Sequence, residues 1–267
     1  PSAWNFVTLR CCSFGRQFQS WQLAVLMWPG GQPQTESGNL HENHLVRSFN
    51  PGWFKFLLST AHIYFGKASK NTPQYRRRVQ EIETVARYLA REAKSSPVNQ
   101  ILVGDFNIVQ RGSPGFNALT KHGFTAVNNR KGSNRDQTKF YDQISFRSRS
   151  NELTMMEPER EDRVFQFFDS VFRTADFSTY KPIIEKRLAV KLNKAQADLA
   201  AATTKRSKNA AERKIASISA AGASEASLEK YYDEWRTFQM SDHLPLWVEL
   251  KIDFSDRYLD YLSTYRA

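Results

Sequence analysis

The sequence predicts an α/β fold, and three consecutive stretches carry that reading. WFKFLLSTAHIYFG (53–66) is rich in aromatic and β-branched residues and closes on Gly66, so it reads as a strand buried on at least one face. A helix follows. Thr72 and Pro73 supply an N-cap and a proline at the first helical position, and Val79, Ile82, Ala86, Leu89 and Ala93 recur at helical spacing. ILVGDFNIV (101–109) is the next apolar run. Strand, helix and strand in that order form a crossover unit, with residues 75–94 as the crossover, and such units build sheets with helices packed on a face.

The remaining elements are read in the same way. WQLAVLMW (21–28) reads as a strand, and WPGGQPQTESGN after it as a loop punctuated by Pro and Gly; the rest of residues 1–50 gives no clear pattern. A polar loop, NNRKGSNRDQTKF (128–140), leads into the short strand YDQISF. In RVFQFFDSVFRTADF (163–177), Phe165, Phe168, Val171 and Phe172 fall at helical spacing. Residues 186–221 are rich in Ala and Lys, with nine Lys/Arg against two acids between Lys186 and Lys214. High helix propensity with a thin apolar stripe predicts an exposed helical hairpin or insertion, taken as residues 181–235. Gly222 and Ser224 mark a break and a new N-cap for a helix through Leu228, Tyr231, Trp235 and Phe238. SDHLPLWVELKIDF then ends in a strand, with Leu246, Val248 and Leu250 alternating.

Composition limits the partners. At 267 residues with 40% hydrophobic and 13% aromatic content, the chain can bury a sizeable core. No apolar run approaches the length of a membrane span. Cys11 and Cys12 are adjacent, which suits neither a bridge nor a zinc knuckle; free thiols point to a reducing, cytoplasmic setting. A net charge of +11 and a pI near 9.7 favour polyanionic partners, nucleic acid or phosphorylated ligands, without choosing between them.

Four polar clusters sit at or near strand ends: His62, Asp105 with Asn107, Asp142, and Asp242 with His243. Singly, each has an ordinary structural reading, as a hydrogen-bonded core histidine or a turn cap. Together they supply what phosphodiester hydrolysis requires: carboxylates and an amide to position water and a cation, and imidazoles to stabilise charge and move protons.

The order and wording of these clusters resemble the endonuclease/exonuclease/phosphatase superfamily, which includes deoxyribonuclease I. GDFN followed later by SDHLP carries the resemblance, with the strand histidine before them and YDQI between, over residues 53–146 and 236–256. WRTFQMSDHLPLWVELKIDF resembles a bacterial subgroup. The resemblance implies a two-sheet β-sandwich flanked by helices (four-layer αββα) as one domain, and divalent-metal-dependent phosphoester cleavage with Mg²⁺ or Mn²⁺. It implies that Asp105 orients or deprotonates the water, that Asn107 holds it or the phosphate, and that His243 contacts the scissile phosphate. Asp142 then fixes the tautomer of His243, and His62 acts from the opposite side. The implied metal ligands are Asp242, Asp105 and Asn107.

The pattern is incomplete at one end. An Asn on the first strand and a Glu after Gln on the next, the latter a principal metal ligand, are not visible upstream of His62. Glu36 and Glu42 are the only glutamates there, in a stretch unlike that motif. The expectation is a chain, starting at Pro1, that lacks the family's N-terminal strands and part of its metal site. Arg130, Lys131, Arg135 and Lys139, in the loop leading to Asp142, are the expected substrate-binding cations, and the Arg76–Arg78 helix start and the 186–214 stretch are further basic regions. A nuclease leads this reading. The alternatives are a phosphoesterase acting on phosphoinositide, phospholipid or another small phosphoester, and a catalytically incomplete nucleic-acid-binding or scaffold module.

Overall fold

Tyr75, Arg78, Ile82, Val85, Ala86, Leu89 and Ala93 form one buried stripe on helix α1 (Pro73–Ser95), whose start is capped by the Thr72 hydroxyl accepting from the Tyr75 N–H at 3.2 Å. The stripe packs with Leu102 from the following strand, with Phe106 just after it, and with Ala118, Leu119 and Phe124 beyond. Truncating a core residue such as Ile82 to Ala costs about 2–5 kcal/mol. This computed structural model describes the chain apart from residues 1–3, 15–17, 29–43, 50–54, 67–68, 96–97, 150–152, 156–162, 253–259, 261–262 and 265–267. The loop reading over 29–39, Glu36 and Glu42 fall outside the described residues.

The chain divides into two units, Pro1–Phe165 with His243–Ala267, and Gln166–Asp242. The first holds two sheets and is α/β, as the sequence predicts. One sheet runs β1 (Trp4–Phe14), β2 (Phe18–Trp28), β9 (Leu246–Ile252), β8 (Leu153–Met155), each neighbour antiparallel. WQLAVLMW therefore lies inside β2, and the N-terminal stretch that the sequence left without an account supplies β1 and β2 as an antiparallel pair beside β9. The other sheet runs β3 (His44–Phe49), β4 (Phe56–His62), β5 (Asn99–Asp105), β7 (Asp142–Arg147), β6 (Thr125–Ala126). Here β4 and β5 are parallel, joined by α1, which is the crossover the sequence predicts. The short helix α2 (Pro114–Thr120) follows β5, capped by Ser113.

The β4·β5 register pairs His62 with Asp105, and the β5·β7 register pairs Asp105 with Asp142. All seven residues of β5 are buried, so this strand is covered on both faces and carries an apolar run rather than an alternation. Gly104 sits opposite Ala61, where a Cβ would lie 1.8 Å from the Ala61 carbonyl oxygen, so only glycine fits this close backbone approach.

The second unit holds α3 (Phe177–Ala200), α4 (Lys205–Ala221) and α5 (Glu225–Thr237), the last two capped by Thr204 and Ser224. Its core is Phe177, Ile184, Leu188, Leu228, Tyr232 and Trp235. Along α4 only Ala211 is buried, which agrees with the thin apolar stripe. Phe238, expected on the apolar face of α5, is exposed because the helix ends before it. The helical spacing in 163–177 does not become an α-helix. Two 3₁₀ turns form instead, Phe167–Asp169 and Thr174–Asp176, because Phe172 takes a left-handed conformation and Arg173 an extended one.

Candidate active site

The interruption in ILVGDFNIV is a turn and a site at once. Strand β5 delivers a buried Asp105 at its last position, and the chain then turns through Asn107, whose φ of 51° is a left-handed conformation that asparagine tolerates better than most residues. The Asn107 N–H donates to Asp105 Oδ1 at 2.8 Å, an Asx-type turn, and its side-chain amide donates to the Ile63 carbonyl at 2.9 Å. The Ile63 N–H in turn donates to the Asp105 carbonyl at 2.8 Å, so the exits of β4 and β5 are bonded in both directions.

Asp105, Asp142 and His243 converge, each offering a ligand atom within 4.8 Å of the others. His243 Nδ1 lies 2.8 Å from Asp142 Oδ2. With Asp142 ionised, Nδ1 carries the proton and donates, and Nε2 is left as the lone-pair nitrogen. Asp142 Oδ1 is buried with no hydrogen-bond partner. His62 Nε2 lies 3.6 Å from Asp105 Oδ2, with its side chain 62% exposed, so it approaches from the solvent side. Burial first, and the neighbouring Asp142 charge second, push the Asp105 carboxyl up to about 7, against the pull of His243, the Asn107 N–H and Arg78.

The polar loop before β7 is fastened to this cluster. Ser133, fully buried, accepts from the Asp142 N–H through its hydroxyl at 2.9 Å and from the Leu244 N–H through its carbonyl at 2.6 Å. One serine thus fixes both ends of the Asp142–His243 pair. The Tyr141 ring stacks on His243 with centroids 5.5 Å apart, and Lys139 Nζ lies 5.6 Å from the Tyr141 ring centre. Of the four cations expected in this loop, Lys139 is therefore linked to the site through one ring. Arg130 and Lys131 are exposed on the same loop, and Arg135 pairs with Asp136 at 2.9 Å.

The structure brings together His62, Asp105, Asn107, Asp142 and His243, and it leaves Asp242 exposed and outside the three-residue group. Sequence reading missed Ser133 and the stacking of Tyr141 on His243, and it put Arg78 in a basic region. Ser133 carries no sequence signal. Arg78 does: it is an arginine inside the buried stripe of α1, only 3% exposed. Its guanidinium donates to the carbonyls of Tyr64, Gly66 and Asn107, and burial lowers its pKa. It braces the strand exits and is not part of a polyanion-binding surface.

A divalent cation fits the donor set. Two buried carboxylates lie together, one with an unpartnered oxygen and the other with its ionisation opposed by burial and by its neighbour. A bound cation relieves both conditions, and oxygen donors suit Mg²⁺ or Mn²⁺.

No protein-family profile matches the chain, and no curated protein matches it. The chain is similar to solved structures of endonuclease/exonuclease/phosphatase family proteins. A mannosyl-6-phosphatase of Bacteroides thetaiotaomicron is 13% identical, with 57% of this chain and 53% of that one covered at a TM-score of 0.30. An endonuclease/exonuclease/phosphatase family protein of the same organism is 13% identical, with 54% and 46% covered and a TM-score of 0.30. The catalytic domain of human Nocturnin, solved with sulfate, is 10% identical, with 58% and 49% covered and a TM-score of 0.31. The chain spans about half the length of these structures.

Proposed function

We propose that the protein is a divalent-metal-dependent phosphodiester hydrolase, foremost a nuclease, built as the two-sheet, four-layer sandwich that its motifs imply. The observation that carries the reading is the convergence of Asp105, Asp142 and His243, from three separate sequence motifs, at one end of the β4·β5·β7 sheet. Asp142 and Asp105 would hold a divalent cation, which would supply neutralisation of phosphate charge in the transition state. Asp105, at the end of β5, orients the attacking water and takes its proton. His243, held by Asp142 through Nδ1, presents Nε2 to the phosphoryl oxygens. The new P–O bond forms from the water oxygen as the ester P–O bond breaks, and the departing oxygen takes a proton from exposed His62.

The test is Mg²⁺-dependent nicking of plasmid DNA together with release of nitrophenolate from bis(p-nitrophenyl) phosphate. Both activities are expected, and Asp105→Ala or His243→Ala abolishes them while circular dichroism stays unchanged. Full activity in either variant overturns the role assignment. A binding module of the same fold is the second reading, favoured by the absence of glutamate from the cluster among the described residues. Oligonucleotide binding without any Mg²⁺-dependent turnover supports that reading and overturns the first.

A further inference from the structure

The segment leaving β4 carries His62 into the site and, three residues on, exposes Phe65 at 72%. A lone exposed apolar side chain is ordinary. The setting of this one is not. Its neighbour Tyr64 lies under the Arg77 guanidinium, 4.5 Å from the ring centre, and Gly66 abuts Gln74 in the first turn of α1. The same Arg77, with the exposed Lys70 and Arg76, lines a groove of about 620 Å³. The groove's one acid, Glu83, is bonded to Lys121 at 2.8 Å, which holds its carboxyl below the ordinary range. Lys70 and Tyr75 also line a smaller cavity that reaches Asn107.

An exposed ring next to a cationic groove matches the two elements that hold a single nucleic-acid strand, in which bases stack on aromatics and phosphates lie along the cations. We infer that Phe65, Lys70, Arg76 and Arg77 bind the single-stranded nucleic acid flanking the scissile phosphate. This rests on the phosphodiesterase reading for its catalytic end, and it names the substrate class of that site: an oligonucleotide strand rather than a small phosphoester. Phe65 follows His62 by three residues in the chain and adjoins Tyr64, whose ring meets the groove-lining Arg77, so in this proposal the strand runs from the reacting phosphate over Phe65 into the groove.

The inference is tested by fluorescence anisotropy of a fluorescein-labelled single-stranded dodecanucleotide in EDTA, across a salt series. Phe65→Ala is expected to weaken binding about 5- to 100-fold with the salt slope unchanged. The Lys70→Ala, Arg76→Ala, Arg77→Ala triple variant is expected to lower the slope of log K against log salt by about 2. In parallel, Mg²⁺-dependent hydrolysis of bis(p-nitrophenyl) phosphate, too small to reach the groove, is measured for all variants. Retained hydrolysis with weakened strand binding supports the inference and also shows that the variants fold. Unchanged strand binding in both variants overturns it, as does loss of affinity for phosphatidylserine vesicles alone, which makes the groove a membrane contact. Tighter binding of a duplex with no dependence on Phe65 overturns it too. Failure of wild-type protein to hydrolyse the small ester, with strand binding intact, rejects the phosphodiesterase reading and leaves the strand-binding surface standing.

Discussion

Arg78 Nη1 donates to the Asn107 carbonyl at 2.9 Å, although 29 positions separate the two residues along the chain. The same guanidinium reaches Tyr64 and Gly66, so one buried cation ties the exit of β4 to the exit of β5. Removing it leaves three carbonyls without their donor, that of Asn107 buried and those of Tyr64 and Gly66 half-buried. Arg78→Met is expected to destabilise the fold by about 2–4 kcal/mol. Arg78→Lys recovers little, since one ammonium does not reproduce the planar fork. Urea unfolding checks this, and destabilisation under 1 kcal/mol in Arg78→Met refutes the bracing role.

Asp105 makes stability depend on pH in a direction opposite to that of most carboxylates. Its folded pKa, about 7, lies above the ordinary value near 3.9, so between those limits the folded state holds a proton that the unfolded chain has released. Stability attributable to this group is highest below about pH 4, declines as pH rises towards 7, and stays low above it. The thermal midpoint of metal-free protein is expected to fall over that window. Asp105→Asn, which cannot ionise, should flatten the decline, and millimolar Mg²⁺ should reduce it by supplying the missing positive charge. A midpoint rising from pH 4 to 7 by the same amount in wild type and Asp105→Asn contradicts the assignment.

Much of this site was legible because its chemistry is written in short, local strings. GDFN places a carboxylate and a turn-tolerant asparagine at the end of a buried strand, and the periodicity of α1 fixes the crossover that makes β4 and β5 parallel. The Asp142–His243 pair was expected from its motifs, and its atoms lie 2.8 Å apart across 101 residues. What was not legible depends on tertiary packing. Ser133 matters through one hydroxyl and one carbonyl in a loop whose composition is that of any polar loop. Arg78 lay within a run of three arginines, and charge alone could not separate the buried one from its exposed neighbours. The aromatic spacing over 163–177 misled for a backbone reason: Phe172 has a positive φ, which no side-chain periodicity reveals.

Gly104 offers a purely steric test. A methyl group at this position would lie 1.8 Å from the Ala61 carbonyl oxygen, and both are backbone-fixed in adjacent parallel strands. Gly104→Ala must separate β4 from β5 one residue before Asp105. It is expected to cost at least about 3 kcal/mol, or to leave the protein insoluble. Gly112→Ala is the control for making the same change where nothing lies within 4 Å, and its smaller cost comes from φ alone. Equal urea midpoints for the two variants would refute the close-contact account.

The Asp142–His243 pair separates positioning from charge. Asp142→Asn keeps the size of the side chain, but its amide can present either an acceptor or a donor to His243 Nδ1, so the tautomer is no longer enforced. A neutral amide also gives up one of the two carboxylates suited to a cation. The expected result is a fall in kcat of about 10²- to 10⁴-fold on a chromogenic phosphodiester, with KM nearly unchanged and the fold intact. Because Asp142 raises the pKa of Asp105, the same substitution should shift the Asp105 titration downward. That shift can be followed by carboxylate NMR in metal-free protein, independently of turnover. A variant with lost activity and an unmoved Asp105 titration would place Asp142 in the structure without electrostatic coupling to Asp105. A variant with full activity would remove the pair from the mechanism.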